Sequence, residues 1–235
     1  MNNFKENGFS IHAGLYNTAE MQQMLESIDK SYTERPTFRK ANDLFAIRQV
    51  LKEIPSLAPL LFNDRLKQLI EELFGSGYFV SKSIYFDKPG NSNWFVAYHQ
   101  DLTISVKEKA EVPGYGPFTK KQDQFAVQPP LSVLENNFTV RIHLDDTNEE
   151  NGALRVIPGS HLKGIQRADQ MGNHSNEVLC NVPAGGVMLM HPLLFHASGR
   201  STGSSPRRVL HTEFSNQSLP EALSWSERFD YQQLN

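Results

Sequence analysis

Apolar residues recur at helical spacing in two early stretches of the chain. "TAEMQQMLESIDKSY" puts Met21, Met24, Leu25 and Ile28 on one face, and Thr18 is a suitable N-cap. "NDRLKQLIEELFG" does the same with Leu66, Leu69, Ile70 and Leu73, and Gly75 supplies a stop. "ANDLFAIRQVLKEIP", between them, has no decisive period. The pattern predicts a mainly helical segment over residues 1–76.

After Gly77 the texture changes. "YFVSKSIYFDKPG" is rich in β-branched and aromatic residues and ends in a Pro-Gly turn. "WFVAYHQDLTISV" reads as a second strand region. "NFTVRIHLDD" alternates cleanly, with Thr139, Arg141 and His143 on one face and Phe138, Val140, Ile142 and Leu144 on the other. "ALRVIPGSH", "CNVPAGGVMLMHPLLFHASG" and "RRVLHTEFS" supply further strands. The stretch from Lys107 to Pro130 has many turn residues and no strong period, so it reads as a long loop and a candidate lid. Helices first and strands afterwards predict one domain over residues 1–235, a barrel or two-sheet sandwich at 77–216 with helices packed on it.

Composition narrows the function classes. A net charge of -3 with intermixed signs argues against a nucleic-acid surface built on bulk charge. One cysteine, Cys180, rules out an internal disulfide, fits a reducing compartment, and reads as a small buried hydrophobe. The start, "MNNFKENGFSIHAG", has no basic patch followed by an apolar run, so no secretory signal is expected. No run approaches the roughly 18 apolar residues that cross a bilayer. The expectation is a soluble, cytoplasmic protein.

The candidate chemistry begins at "YHQD". Residues two apart on a strand point the same way, so His99 and Asp101 would offer an imidazole and a carboxylate together. A third ligand is needed, and His143, His161, His174, His191, His196 and His211 are available. Two histidines and one carboxylate on one side of a metal leave the opposite positions open, an arrangement suited to non-haem Fe(II). A dicarboxylate co-substrate would need a buried guanidinium, and Arg207 or Arg208 can supply it. Trp94, Phe95 and Tyr98 read as core first and pocket candidates second.

"YHQD", "HLDDTNEENGALRVIPGSH" and "HPLLFHASG…SPRRVLHTEF" together resemble the phytanoyl-CoA dioxygenase family of Fe(II)/2-oxoglutarate oxygenases. The resemblance runs from "FKENGFSIHAGLYNTAEM" to the last strand near Phe214. It implies a double-stranded β-helix, a jelly roll or cupin-like barrel. The family pattern, His-x-Asp, a distant His, and an Arg eleven residues later, selects His196 and Arg207. The resemblance also implies that Ser198 joins Arg207 at the far carboxylate of 2-oxoglutarate, and that Thr139 turns a hydroxyl toward that co-substrate. Arg141, His143 and Tyr98 remain substrate-pocket candidates. The implied activity consumes 2-oxoglutarate and O2, hydroxylates a small-molecule substrate and releases succinate and CO2. Related halogenases carry a small residue at the Asp101 position, so the carboxylate here disfavours halogenation. It does not separate hydroxylation from desaturation, cyclisation or epimerisation. A cupin-like binding protein without catalysis, or a cupin enzyme using another metal without 2-oxoglutarate, is the alternative. Oligomeric state is not legible.

Overall fold

The computed structural model describes residues 3–31, 38–41, 44–121, 124–167 and 176–234. Six α-helices run α1 (Phe4–Asn7), α2 (Thr18–Lys30), α3 (Val50–Glu53), α4 (Ala58–Leu61), α5 (Asp64–Phe74) and α6 (Leu131–Glu135). The strands are β1 (Phe9–His12), β2 (Phe38–Ala41), β3 (Leu44–Arg48), β4 (Phe79–Lys88), β5 (Val96–His99), β6 (Ile104–Val106) and β7 (Phe118–Lys121). They continue as β8 (Gln124–Val127), β9 (Phe138–His143), β10 (Leu154–Val156), β11 (Val178–Cys180), β12 (Val187–Met190), β13 (His196–Ser198) and β14 (Arg207–Ser215).

Seven strands form one antiparallel sheet in the order β1-β12-β9-β14-β4-β3-β2, and four form a second in the order β11-β10-β13-β5. Phe9, Met188 and Met190 of the large sheet pack with Leu154, Val156 and Cys180 of the small one, so the two sheets face each other. The other side of the large sheet carries the helices. Phe138, Val140, Ile142, Leu210 and Phe214 meet Met24, Ile28, Leu66 and Ile70 there. Strand β9 is therefore buried along its whole length. Its apolar residues face the helices and its polar residues face the sandwich interior. Alternation of this kind ordinarily puts the polar face in water; here it lines a cavity.

Several local readings change. Asn17, not Thr18, caps α2: its side chain accepts from the Glu20 backbone N–H while Glu20 reaches back to the Asn17 N–H, and Thr18 is the first helical residue. The first 76 residues also contribute β1, β2 and β3 to the large sheet, and His12 lies on β1 rather than in a helical region. "DLFAIRQVLKE" divides at Gln49, whose left-handed backbone (φ 53°) turns β3 into α3. The stretch 107–130 is not one loop. β7 and β8 pair as a hairpin that joins β6 in a three-stranded sheet. Gly and Pro around such short strands hid their pattern. Cys180 is buried between the sheets, as a small hydrophobe would be.

Aromatic stacking ties helices to sheet. Phe138 lies 3.7 Å from Phe74 and 4.8 Å from Phe214, with rings parallel within 5°. Phe138→Ala removes the middle ring, and its cost is expected to be about 3–5 kcal/mol. A urea unfolding curve whose midpoint barely moves would contradict this packing role.

Candidate metal and co-substrate site

The register of the small sheet builds the site. On β13, His196 pairs directly with His99 of β5, and their rings lie 4.2 Å apart. The chain leaves β5 at His99, and the Asp101 N–H donates to the Pro192 carbonyl at 2.8 Å. That bond fixes Asp101 beside both rings. Its two carboxylate oxygens lie 3.7 Å from His99 Nε2 and from His196 Nε2. One ligand atom from each residue falls within 4.8 Å of the others, and this is the metal-capable cluster found among the described residues.

Each imidazole is oriented by a carbonyl two residues before it. His99 Nδ1 sits 2.9 Å from the Ala97 carbonyl, and His196 Nδ1 sits 3.0 Å from the Leu194 carbonyl. A carbonyl can only accept, so both Nδ1 atoms carry the proton and both Nε2 lone pairs point toward Asp101. This is the tautomer a metal-binding histidine needs. Burial pushes the His196 imidazole down to about 4, with Asp101 pulling the other way. Burial also works to raise the Asp101 carboxyl, but His196, Lys82, His211 and His99 outweigh it and hold that group at about 2. Neutral imidazole and ionised carboxylate are the states that ligate. The donor set, two nitrogens and one carboxylate with an open side, fits a non-haem Fe(II) ion.

Gln100, the central residue of "HQD", turns the other way. Its amide donates to the Gly164 and Leu193 carbonyls and accepts from the Gln166 N–H, so it binds the flanking loops to the ligand strand. A buried Gln between two ligands was the available signal for this.

Arg207 and Ser198, both buried, line the same cavity. Arg207 Nη1 donates to the Gly152 carbonyl and to Ser198 Oγ at 3.2 Å, and Ser198 Oγ donates to the same carbonyl at 3.0 Å. Burial, with help from Arg141, lowers the guanidinium to about 9, still charged at neutral pH. Among the described residues no carboxylate pairs with Arg207. Arg208, one residue on, faces outward and is held by Asp145 at 2.6 Å. Strand alternation thus sends one arginine inward and one outward, as expected.

The segment "ENGALRVIPGSH" carries no ligand but frames the whole site. Asn151 donates to the Asp146 and Pro206 carbonyls and places Gly152 against Arg207. Gly152 has φ of +79°, and a Cβ there would lie 2.6 Å from the Gly199 carbonyl oxygen and 2.6 Å from Lys88 Nζ. Glycine is required by both conformation and space. Strand β10 then aligns Leu154 with Ser198 and Val156 with His196. Ser160 Oγ accepts from the Phe195 N–H at 2.9 Å and steadies the approach to His196.

The remaining sequence candidates separate. Arg141 lines the cavity, whereas His143 turns to Thr147 Oγ1 at 2.7 Å and Tyr98 bonds Glu177 on the other side of β5. Thr139 is buried beside Asp101 and Glu213, where it lines a small separate gap rather than the main cavity. His211 lines the cavity and bonds both Arg141 and Glu213. His161 is buried against the Lys5 carbonyl and the His191 ring, not at the surface, and His174 lies outside the described residues. Trp94 lines the cavity, and Phe95 is 54% exposed beneath the Arg200 guanidinium, so neither belongs to the core. Their neighbours Pro89, Gly90 and Asn91 break the strand pattern there, which is why burial was misjudged. Among the described residues of the 107–130 stretch none lines the cavity; Ala46 and Arg48 of β3 do.

Two facing antiparallel sheets, with two histidines on the inner wall and a carboxylate beside them in a cluster able to hold a metal, define a cupin-like double-stranded β-helix. The chain belongs to the phytanoyl-CoA dioxygenase family, whose model matches residues 4–209. Uncharacterized protein Rv1501 of Mycobacterium tuberculosis is 25% identical over 48% of this chain, and the match spans 43% of that relative's length. A probable alpha-ketoglutarate-dependent hypophosphite dioxygenase of Stutzerimonas stutzeri is 24% identical, over 91% of this chain and 84% of its own. Among solved structures, EctD from S. alaskensis with 2-oxoglutarate and 5-hydroxyectoine superposes with a TM-score of 0.69 at 17% identity, covering 90% of this chain and 73% of that one. HygX from Streptomyces hygroscopicus with nickel, 2-oxoglutarate and hygromycin B gives 0.66 at 15%, covering 93% and 86%. These structural likenesses show a shared fold. Among the described residues, no helix is long and apolar enough to cross a membrane.

The lowered His196 makes stability pH-dependent. The unfolded imidazole takes its proton near 6.5, but the folded one does so only at about 4. Its contribution is therefore complete above pH 6.5 and is lost as pH falls toward 4. The metal-free protein is expected to lose more of its urea midpoint than His196→Gln does across that window. Identical slopes in the two proteins would contradict the buried neutral imidazole.

Proposed function

We propose that the chain is an Fe(II)- and 2-oxoglutarate-dependent dioxygenase that hydroxylates a small molecule, acting as one domain over residues 1–235. The observation that carries the reading is one cavity of about 280 Å³ lined by both the His99–Asp101–His196 cluster and the buried Arg207 guanidinium, which has no carboxylate partner among the described residues. Its size, near the lower end for ligand sites, suits a small substrate.

In this reading His99, Asp101 and His196 hold the metal. The bound iron supplies oxygen activation coupled to loss of CO2 from 2-oxoglutarate, leaving succinate. The chain's own residues place the reactants. Arg207 donates to the far carboxylate through its guanidinium, and Ser198 turns its hydroxyl hydrogen from the Gly152 carbonyl to the same carboxylate. Gly152 keeps that guanidinium in place through its carbonyl. The low position of Asp101 keeps an acceptor-only carboxylate at the metal through the neutral range. Ile84, Phe86 and Trp94 form an apolar wall that limits water around the reacting centre. Thr139 contributes packing beneath Asp101 in this geometry, and the candidate specificity wall is β3 and Trp94 rather than the 107–130 hairpin. One relative is named a probable hypophosphite dioxygenase and another was solved with hygromycin B bound, so substrate choice in this reading rests on this chain's own walls.

Anaerobic addition of Fe(II) and 2-oxoglutarate is expected to produce the weak visible band of the metal chelate, followed by succinate formation on admitting air. Arg207→Ala removes a charge-assisted hydrogen bond of about 1.5–3 kcal/mol and is expected to raise the 2-oxoglutarate requirement roughly tenfold or more. A protein that forms no band, and makes no succinate across a metabolite panel, would be a binder or use another chemistry.

A further inference from the structure

We propose that Arg141 is a second anion anchor in the cavity, and that the primary substrate is a small oxyanion, a carboxylate or a phosphorus oxyacid. The proposal rests on the dioxygenase reading and specifies its substrate class.

Arg141 projects from the centre of β9 into the sandwich interior and lines the same cavity as the metal cluster and Arg207. It is 8% exposed. Its Nη1 donates to His211 Nδ1 at 3.0 Å, and its Nε has no hydrogen-bond partner. A guanidinium can only donate, so His211 Nδ1 is the acceptor and its Nε2–H is left to donate to Glu213 Oε1 at 3.2 Å. His211 is therefore neutral in this arrangement. Glu213 in turn meets Lys82 Nζ at 2.6 Å. The chain Arg141–His211–Glu213–Lys82 thus holds one carboxylate against two cations. Glu213 offsets Lys82, and among the described residues no carboxylate pairs with Arg141.

Loading the site does not remove this surplus. A divalent metal and Arg207 bring three positive charges; Asp101 and the 2-oxoglutarate dianion bring three negative ones. Arg141 remains. A buried guanidinium without a counter-ion is costly, because desolvation is not repaid by pairing. An incoming oxyanion supplies the missing charge and acceptors for the part of the guanidinium that lines the cavity. The fork of N–H groups matches a carboxylate or phosphorus oxyacid edge. Burial lowers Arg141 to about 10, with Asp101 acting against it, so it stays charged at neutral pH.

The test uses the full chain with nickel(II), a redox-silent metal, and saturating 2-oxoglutarate. Thermal unfolding is followed while acetate, propionate and butyrate are titrated, each beside its primary amide, together with phosphite. At least one anion is expected to raise Tm where its amide, or for phosphite an equal concentration of chloride, does not. Arg141→Met is expected to weaken that anion about tenfold or more, and Arg141→Lys to recover part of the loss. Calorimetric titration of 2-oxoglutarate is expected to give the same affinity in wild type and Arg141→Met. Anions that act no differently from their controls in wild type would overturn the proposal, as would an anion effect that survives Arg141→Met. A tenfold loss of 2-oxoglutarate affinity in Arg141→Met would assign the guanidinium to the co-substrate and also overturn it. Should wild type bind no 2-oxoglutarate, the dioxygenase reading fails separately, and the anion titration on the nickel protein still decides whether Arg141 is an anchor.

Discussion

The site depends on one pairing: His196 opposite His99 in the small sheet. Backbone hydrogen bonds across β13 and β5 bring together residues almost a hundred positions apart. A slip of one residue would turn a ligand to the wrong face. The neighbours protect that register. β10 aligns with β13 on its other side, Ser160 holds the residue before His196, and Gln100 ties the loops around Asp101. Each ring is then fixed by a carbonyl two residues earlier in the chain. The ligand geometry is thus largely a property of main chain, which changes little when side chains elsewhere vary.

The large sheet has the complementary task. Its inner face carries Lys82, Arg141, His143, Arg207, His211 and Glu213, an unusual load of polar groups for a buried surface. The fold tolerates them because the outer face of the same strands packs an extensive apolar cluster against the helices. Internal pairing satisfies Lys82, Glu213 and His211. Arg207 and Arg141 are satisfied only in part, by Gly152, Ser198 and His211, and both side chains line the cavity. Stability is supplied on one side of the sheet, and a site poised for anions is held on the other.

Much of this was legible from residues. Period-2 alternation in "NFTVRIHLDD" separated the two faces of β9, and alternation at 207–208 separated an inward from an outward arginine. Spacing made His99 and Asp101 candidates, but the choice of them with His196 and Arg207 needed the family resemblance, because His-x-Asp is common and six histidines were open as third ligand. Other features have no local signature. Short strands flanked by Gly and Pro concealed the β7–β8 hairpin, and the helical patterns around it masked β3, which proves to form a cavity wall. Asn17 and Thr18 are both good caps, and only the reciprocal bond with Glu20 separates them. Arg141, His143 and Thr139 share one strand face, yet only Arg141 reaches the main cavity. That distinction depends on which neighbour each side chain meets across the sandwich, a long-range fact.

The most direct measurement is a crystal structure of the protein grown anaerobically with Fe(II) and 2-oxoglutarate. The account predicts one metal bound through His99 Nε2, an Asp101 oxygen and His196 Nε2, with the far carboxylate of 2-oxoglutarate against Arg207 and Ser198. A metal bound through an Nδ1 atom or at other residues, or a co-substrate carboxylate away from Arg207, would contradict it.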